Sequence, residues 1–159
     1  MNVVFVEPHF PGTQRHFVRA LAEAGATVIG IGETPIWGLD EQLQNWMTHY
    51  EQVGSVTDVD ALTDAVRRIQ AMVWVDRLET TIEAHTMPVA RVREQCEIPG
   101  TSVRTAWLCR DKPSMKDALR AAGVPTAAST AASTAGEAHA FAEQIGYPLI
   151  LKPRAGAGA

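Results

Sequence analysis

All three lysines of this 159-residue chain, Lys112, Lys116 and Lys152, lie beyond residue 100. Residues 1–100 carry 7 Arg and no Lys against 14 Asp and Glu, a balance of −7. Residues 101–159 carry 7 basic residues against 4 acidic ones, a balance of +3. A basic segment of this kind suits an anionic ligand such as a nucleotide phosphate, the alternative being compositional fluctuation over short windows. The other chemically capable residues are dispersed. His9, His16, His49, His85 and His139 form no His-x-x-x-His pattern, and Cys96 and Cys109 have no metal or redox spacing, so no protein-built metal site is expected. No hydrolytic triad is visible. Glu7 and His9 follow the first apolar run, where ligands of parallel sheets often bind, although structural loop residues are the simpler reading.

The elements that would position these residues follow from periodicity. Val3 to Val6 is a short, β-branched apolar run and reads as a buried strand. Thr13 can cap a helix with Phe17, Ala20, Leu21 and Ala24 on one face, stopped by Gly25, and Thr27 to Ile31 forms the second strand. A strand, a helix and a strand at this spacing make a parallel βαβ unit. The pattern then predicts a short helix at Asp40–Trp46, a weaker strand at Tyr50–Val53, and a helix capped by Asp58 with Val59, Leu62, Val66 and Ile69 inward. A fourth buried strand is expected at Met72–Val75, and helix from Leu78 to Gln95 broken near Pro88. This is an α/β, doubly wound parallel sheet over residues 1–100.

Beyond Ile98-Pro99-Gly100, Ser102 and Asp111 can cap two helices. The second carries Met115, Leu119 and Ala122 inward and ends at Gly123. A short strand is expected within Thr126–Thr134, a helix from Thr134 or Ala135 to Gly146, and a last strand from Pro148 to Pro153. The chain then runs into alternating Ala and Gly.

The sheet domain has a Rossmann-like pattern without a dinucleotide fingerprint. The loop Glu7-Pro8-His9-Phe10-Pro11-Gly12 has one glycine, and Gly30-x-Gly32 falls after the second strand, not the first. A Walker-type phosphate loop is also missing. No apolar run reaches the roughly 18 residues of a membrane span. Met1 leads directly into a strand without a basic leader, so cytoplasm is the expected compartment. The net charge of −4 does not favour a nucleic-acid partner.

The order of signals in the second part resembles the start of an ATP-grasp domain, as in biotin carboxylase-like and carboxylate–amine ligase enzymes. The resemblance rests on Ile98-Pro99-Gly100, Arg110-Asp111-Lys112, Met115-Lys116, Gly123-Val124-Pro125 and Tyr147-Pro148-Leu149-Ile150-Leu151-Lys152-Pro153. It covers residues 98–159 closely. The first 97 residues resemble, more generically, the pre-ATP-grasp domain. The resemblance implies a Rossmann-like pre-ATP-grasp domain over 1–100 and the N-terminal part of an α+β ATP-grasp domain over 101–159, cut in its Gly-rich loop. It also implies ATP contacts from Lys112 and Lys152, with Lys152 at the end of a buried strand. For Lys112 a helix-start salt bridge is the competing role, and for Lys152 a solvated strand end. Lys116 matches no ligand position. Gly156 and Gly158 match the loop that covers the phosphates, where glycine backbone can approach the oxygens.

The implied parent activity is ATP- and Mg²⁺-dependent ligation of a carboxylate to an amine or thiol through an acyl phosphate. Catalytic residues and magnesium ligands map to no position here, so the chain is expected to bind ATP weakly and to be inactive alone. The implied partners are ATP, a small carboxylate and an amine, with a homo-oligomer left open. The alternative is a non-catalytic Rossmann-like binding module or a dinucleotide-binding domain.

Overall fold

The computed structural model describes residues 1–155. The chain divides into two compact units, Met1–Val103 and Arg104–Ala159.

The first unit contains strands β1 (Asn2–Val6), β2 (Thr27–Gly32), β3 (His49–Gln52) and β4 (Arg77–Glu79), all parallel, in the order β3-β2-β1-β4. Helices α1 (Gln14–Glu23), α2 (Glu41–Trp46), α3 (Val59–Gln70) and α4 (Thr86–Gln95) connect or follow them. Alternation along the strands sorts the core into two layers. Val4, Val6, Ile29 and Ile31 pack with Leu62, Val66 and Ile69 of α3 and Val89 and Val92 of α4. Phe5 and Val28 point the other way, onto Val18 of α1 and Leu43 of α2. Both sheet faces are covered, which is why these strands read as continuous apolar runs.

The cap expected at Asp58 forms, and Asp40, expected inside the short helix, is its cap. Asp40 accepts from the N–H groups of Gln42 and Leu43, and Asp58 from those of Asp60 and Ala61. Thr13 makes no such bond; the start of α1 is held by the Gln14 N–H donating to the Pro11 carbonyl at 2.8 Å. The buried face of α1 is Gln14 and Val18, backed by Leu21 and Ala22, rather than the expected Phe17 stripe. Phe17 is half-exposed, its ring 6.3 Å from that of Phe5.

The fourth strand is displaced from Met72–Val75 to Arg77–Glu79. Met72 and Val73 both donate their N–H to the Ile69 carbonyl, so these residues finish the C-terminal turn of α3. Trp74 is 72% exposed. The register is set one step later. The Asn2 N–H donates to Asp76 Oδ2 at 2.7 Å and the Asp76 N–H returns a bond to the Asn2 carbonyl at 3.0 Å. Leu78 is therefore in strand, and helix resumes only at a 3₁₀ turn, Glu83–His85, that leads into α4 with Pro88 in its first turn.

The second unit holds α5 (Val103–Arg110), which starts at the unit boundary, α6 (Lys112–Ala121) and α7 (Ala135–Ile145). Asp111 caps α6 through the Ser114 N–H at 2.9 Å, and Thr134 caps α7 through the Glu137 N–H at 3.2 Å. Gly123 and Gly146 follow the two helices at φ of 74° and 85°, the left-handed region that glycine enters without a Cβ penalty. Met115 and Leu119 of α6 are half-buried, whereas Ala122, also expected inward, is exposed.

The strands expected within Thr126–Thr134 and at Pro148–Pro153 are not formed among the described residues. A strand exists only against a partner. In the first stretch the polar groups are engaged by α6: Lys116 Nζ and Arg120 Nη2 both donate to the Ala127 carbonyl, and Arg120 Nη2 also to Ser129 Oγ. In the second, Ile150 and Leu151 are 81% and 80% exposed. No helix among the described residues is long and apolar enough to cross a membrane.

Candidate functional site

In the second unit Arg154 is brought to the start of α6, beside Lys112. Lys112 is the first residue of that helix, preceded by Asp111 and followed by Pro113, whose missing N–H is harmless there. Asp111 is almost fully buried. Besides capping α6, its carboxylate accepts from Nε and Nη2 of Arg154. The Lys112 N–H donates to the Arg154 carbonyl at 3.3 Å. These bonds tie the segment just after Lys152 to the N-terminal turn of α6, so the two lysine-bearing segments meet. The Arg154 guanidinium and the Ser114 N–H hold the Asp111 carboxyl well below the usual range.

Lys112 is half-exposed and makes no ion pair among the described residues, which removes the helix-start salt bridge as its role in this structure. Lys152 is exposed, and the buried strand expected to pack its stem is not there. Gly156 and Gly158 lie outside the described residues. Arg154 escaped the sequence reading; its position soon after Lys152 in a basic segment, opposite a capping Asp, was the available signal.

Asp111→Ala is expected to loosen the first turn of α6 and release Arg154 together. Amide exchange at Ser114 should accelerate, and unchanged exchange there would refute the double role. The folded-state pKa is depressed, so the contribution is complete above the ordinary Asp range near ~3.9. It is lost as pH falls below that range, not as pH rises.

A second constellation lies in the first unit, at the C-terminal edge of its sheet. Glu7 follows β1 with φ of 59°, and its N–H donates to the Ile31 carbonyl at 2.7 Å. Its Oε2 accepts the Glu33 N–H at 3.2 Å, and Glu33 Oε1 accepts the Val56 N–H at 2.9 Å. Burial raises the Glu7 pKa against the lowering effect of N–H groups from Glu33 and Phe10. The Tyr50 hydroxyl donates to the Thr34 carbonyl at 2.6 Å, and burial, with the nearby Glu7 and Glu33, raises its pKa so that it stays protonated. Glu7, His9, Glu33, Thr34, Val56 and His85 line a cleft of about 410 Å³, with Tyr50 behind it.

Gly30 and Gly32 make room for this edge. A Cβ on Gly32 would stand 2.7 Å from Tyr50 Oη and 3.4 Å from Glu7 Oε2, and one on Gly30 would stand 2.8 Å from Tyr50 Cδ2. The pair lies inside β2, where it serves close side-chain approach and carries no nucleotide turn. The sequence pointed to Glu7 and His9 here, but not to Glu33, Tyr50 or His85, which come from three other segments.

Residues 111–159 match the family described as the carbamoyl-phosphate synthase L chain, ATP binding domain. Over 94 residues the chain is 32% identical to alanine–anticapsin ligase of Bacillus subtilis (strain 168), covering 59% of this chain and 20% of that protein. It is 29% identical over 115 residues to the L-arginine-specific L-amino acid ligase of Bacillus subtilis, covering 72% and 28%. Among solved structures, an L-amino acid ligase from Bacillus licheniformis superposes with a TM-score of 0.71 at 22% identity, over 98% of this chain and 37% of the other. The biotin carboxylase domain of the Hydrogenobacter thermophilus 2-oxoglutarate carboxylase gives 0.75 at 22% identity, over 98% and 35%. The chain thus has the fold of these neighbours, while spanning only 20% and 28% of the length of the two curated relatives.

Proposed function

We propose that this chain, related to the ATP-grasp ligases and matching their ATP-binding domain at residues 111–159, contributes one side of an ATP site in an enzyme that activates a carboxylate. Bound ATP with Mg²⁺ would supply a phosphoryl group to the carboxylate, releasing ADP, and an amine or thiol attacking the acyl carbon would then expel inorganic phosphate. The residues assigned to the nucleotide are Lys112 and Lys152, whose ammonium groups offset phosphate charge, and Gly156 and Gly158, whose backbone covers it. No residue of this chain is assigned to the metal or to proton transfer. The same reading makes residues 1–100 the pre-ATP-grasp domain and 101–159 the N-terminal part of the ATP-grasp domain, in a cytoplasmic protein.

The observation that carries this reading is the bond from the Lys112 N–H to the Arg154 carbonyl, reinforced by the Asp111–Arg154 pair. It joins the two segments that bear the assigned lysines. The fit is electrostatic: neither lysine is spent on an ion pair among the described residues, and both reach solvent.

Mg-ATP titrated into the 159-residue chain should move the backbone amide signals of residues 111–116 and 150–155 in fast exchange. Lys152→Ala should remove most of that movement. Binding is expected to be weak, so that ATP near its dissociation constant stabilises the fold by only ~0.4 kcal/mol. Shifts confined to other residues, or none at several-millimolar Mg-ATP, would overturn the assignment.

A further inference from the structure

The first three positions of α6 leave no N–H for a ligand. The Lys112 N–H donates to the Arg154 carbonyl at 3.3 Å, Pro113 has none, and the Ser114 N–H donates to Asp111 Oδ1 at 2.9 Å. This helix N-terminus is therefore closed to a phosphate, which would otherwise seek such groups. Several cations of the second unit are engaged in the same way. Lys116 and Arg120 both donate to the Ala127 carbonyl, and Arg120 also pairs with Asp117. Asp111 holds Arg154 as a fork, Nε to Oδ2 and Nη2 to Oδ1. The Arg154 side chain is 62% exposed, whereas that of Asp111 is 1% exposed. By residue type, an arginine two positions after Lys152 is an obvious phosphate ligand. Its bonds point elsewhere.

We propose that Arg154 is a positioning residue of the nucleotide site and not a phosphate ligand: anchored on Asp111, it holds the Lys152 segment beside Lys112 and stays there when phosphate binds. This role rests on the reading of Lys112 and Lys152 as ATP contacts. Moving the guanidinium to a phosphate would leave the buried Asp111 carboxylate with the Ser114 N–H and no cation. A buried charge stripped of its partner is strongly destabilising. The lysines face no such loss. Neither Lys112 nor Lys152 has an ion pair among the described residues, so each exchanges water for the anion. The attachment has two points, side chain to side chain and carbonyl to N–H, so it sets both the distance and the direction of the segment. Fixing that segment before binding lowers the ordering cost of bringing two lysine-bearing segments to one ligand. Arg154 and Ser114 hold the Asp111 carboxyl well below its ordinary range, so the pair stays charged at neutral pH.

Mg-ATP is titrated into the 159-residue chain, into Arg154→Ala, into Asp111→Asn and into the double variant, with the amide signals of residues 111–116 followed by NMR. Asparagine keeps the shape and the acceptor for the Ser114 N–H while removing the charge. A strut acts only as a pair, so each single variant should weaken Mg-ATP roughly fivefold and the double variant no further. Arg154→Lys, which restores the charge without the fork, should recover part of the loss. A direct phosphate ligand behaves oppositely, since Asp111→Asn would free Arg154 and tighten binding. Tighter binding in Asp111→Asn, unchanged binding in Arg154→Ala, or losses that multiply in the double variant would each overturn the proposal. On the unaltered chain, the nuclear Overhauser contact between Arg154 Hε and Asp111 Hβ should persist as Mg-ATP is added, and its disappearance would also overturn it. If a variant does not fold, that measurement decides alone. Without nucleotide, backbone order at Leu151 and Lys152, read from nitrogen relaxation, should fall in both single variants. Unchanged order there refutes the positioning role even where ATP binds, whereas an unaltered chain that shows no Mg-ATP shifts at all sinks the nucleotide reading and this role with it.

Discussion

Arg93→Met is expected to destabilise the first unit by ~3 kcal/mol and lower its melting temperature by more than ~10 °C. Arg93 is a buried charged residue that joins three segments. Its Nε donates to the Leu78 carbonyl at 2.7 Å, Nη2 to Glu79 Oε2 at 2.6 Å, and Nη1 to the Thr101 carbonyl at 3.4 Å. Gly100 is shaped to it: a Cβ there would stand 2.8 Å from Arg93 Cδ. Methionine keeps the stem volume and removes the donors, so the buried Leu78 carbonyl in the three-residue β4 loses its Arg93 bond. The effect should be one-sided. The Glu79 side chain is 42% exposed and can be hydrated, so Glu79→Ala should cost much less than Arg93→Met. Arg93→Lys, with a point charge in place of a fork, should fall between. Thermal and urea unfolding of the three variants measures this, and a loss below ~0.5 kcal/mol for Arg93→Met would refute it.

Leu62→Ala should cost ~3–4 kcal/mol, comparable to a large share of the stability of a unit this size. Leu62 is fully buried in the layer between α3 and the sheet, surrounded by Val66, Ile69 and the strand residues Val4, Ile29 and Ile31. Truncation removes the transfer energy of the side chain and leaves a cavity that two rigid elements cannot close. Trp74→Ala is the contrasting substitution. It deletes a larger side chain from solvent and should change stability by no more than ~0.5 kcal/mol. Equal losses for the two would restore the buried strand at Met72–Val75.

That contrast marks where residue patterns suffice. The βαβ start, the Asp40, Asp58, Asp111 and Thr134 caps and the glycine stops depend on residues within one turn of each other, so they are readable locally. The fourth strand is not. Val73 and Val75 are apolar by type, but the strand is placed by Asn2 bonding to Asp76 from 74 residues away. The same limit governs the α1 face, where Val18 and not Phe17 turns inward because Phe5, Val28 and Leu43 form the opposing surface. The site near Lys112 was legible as motifs, whereas its Asp111–Arg154 tie spans 43 residues. The strand expected to carry Lys152 is not formed here, and the chain spans 20% to 28% of the two curated relatives it matches. At the sheet-edge cleft, Glu7, Glu33 and His85 are separated in sequence and unremarkable singly; only the topology brings them together.

The strand order also orders the assembly of the unit. β1 is flanked by β2, 25 positions away at the Asn2–Thr27 pairing, and by β4, whose first bond to β1 spans 74 positions. Closing the longer loop costs ~1 kcal/mol more in chain entropy, and only three residues of β4 share in the return. Until those three residues dock, one side of β1 presents free N–H and C=O groups beside Val3, Val4 and Phe5, which is a template for another chain. The shortest strand is therefore the guard of the central one. During synthesis this edge stays open until residue 79 has left the ribosome, so self-association at that stage, rather than loss of native contacts, is the hazard that β4 and its Arg93 anchor suppress.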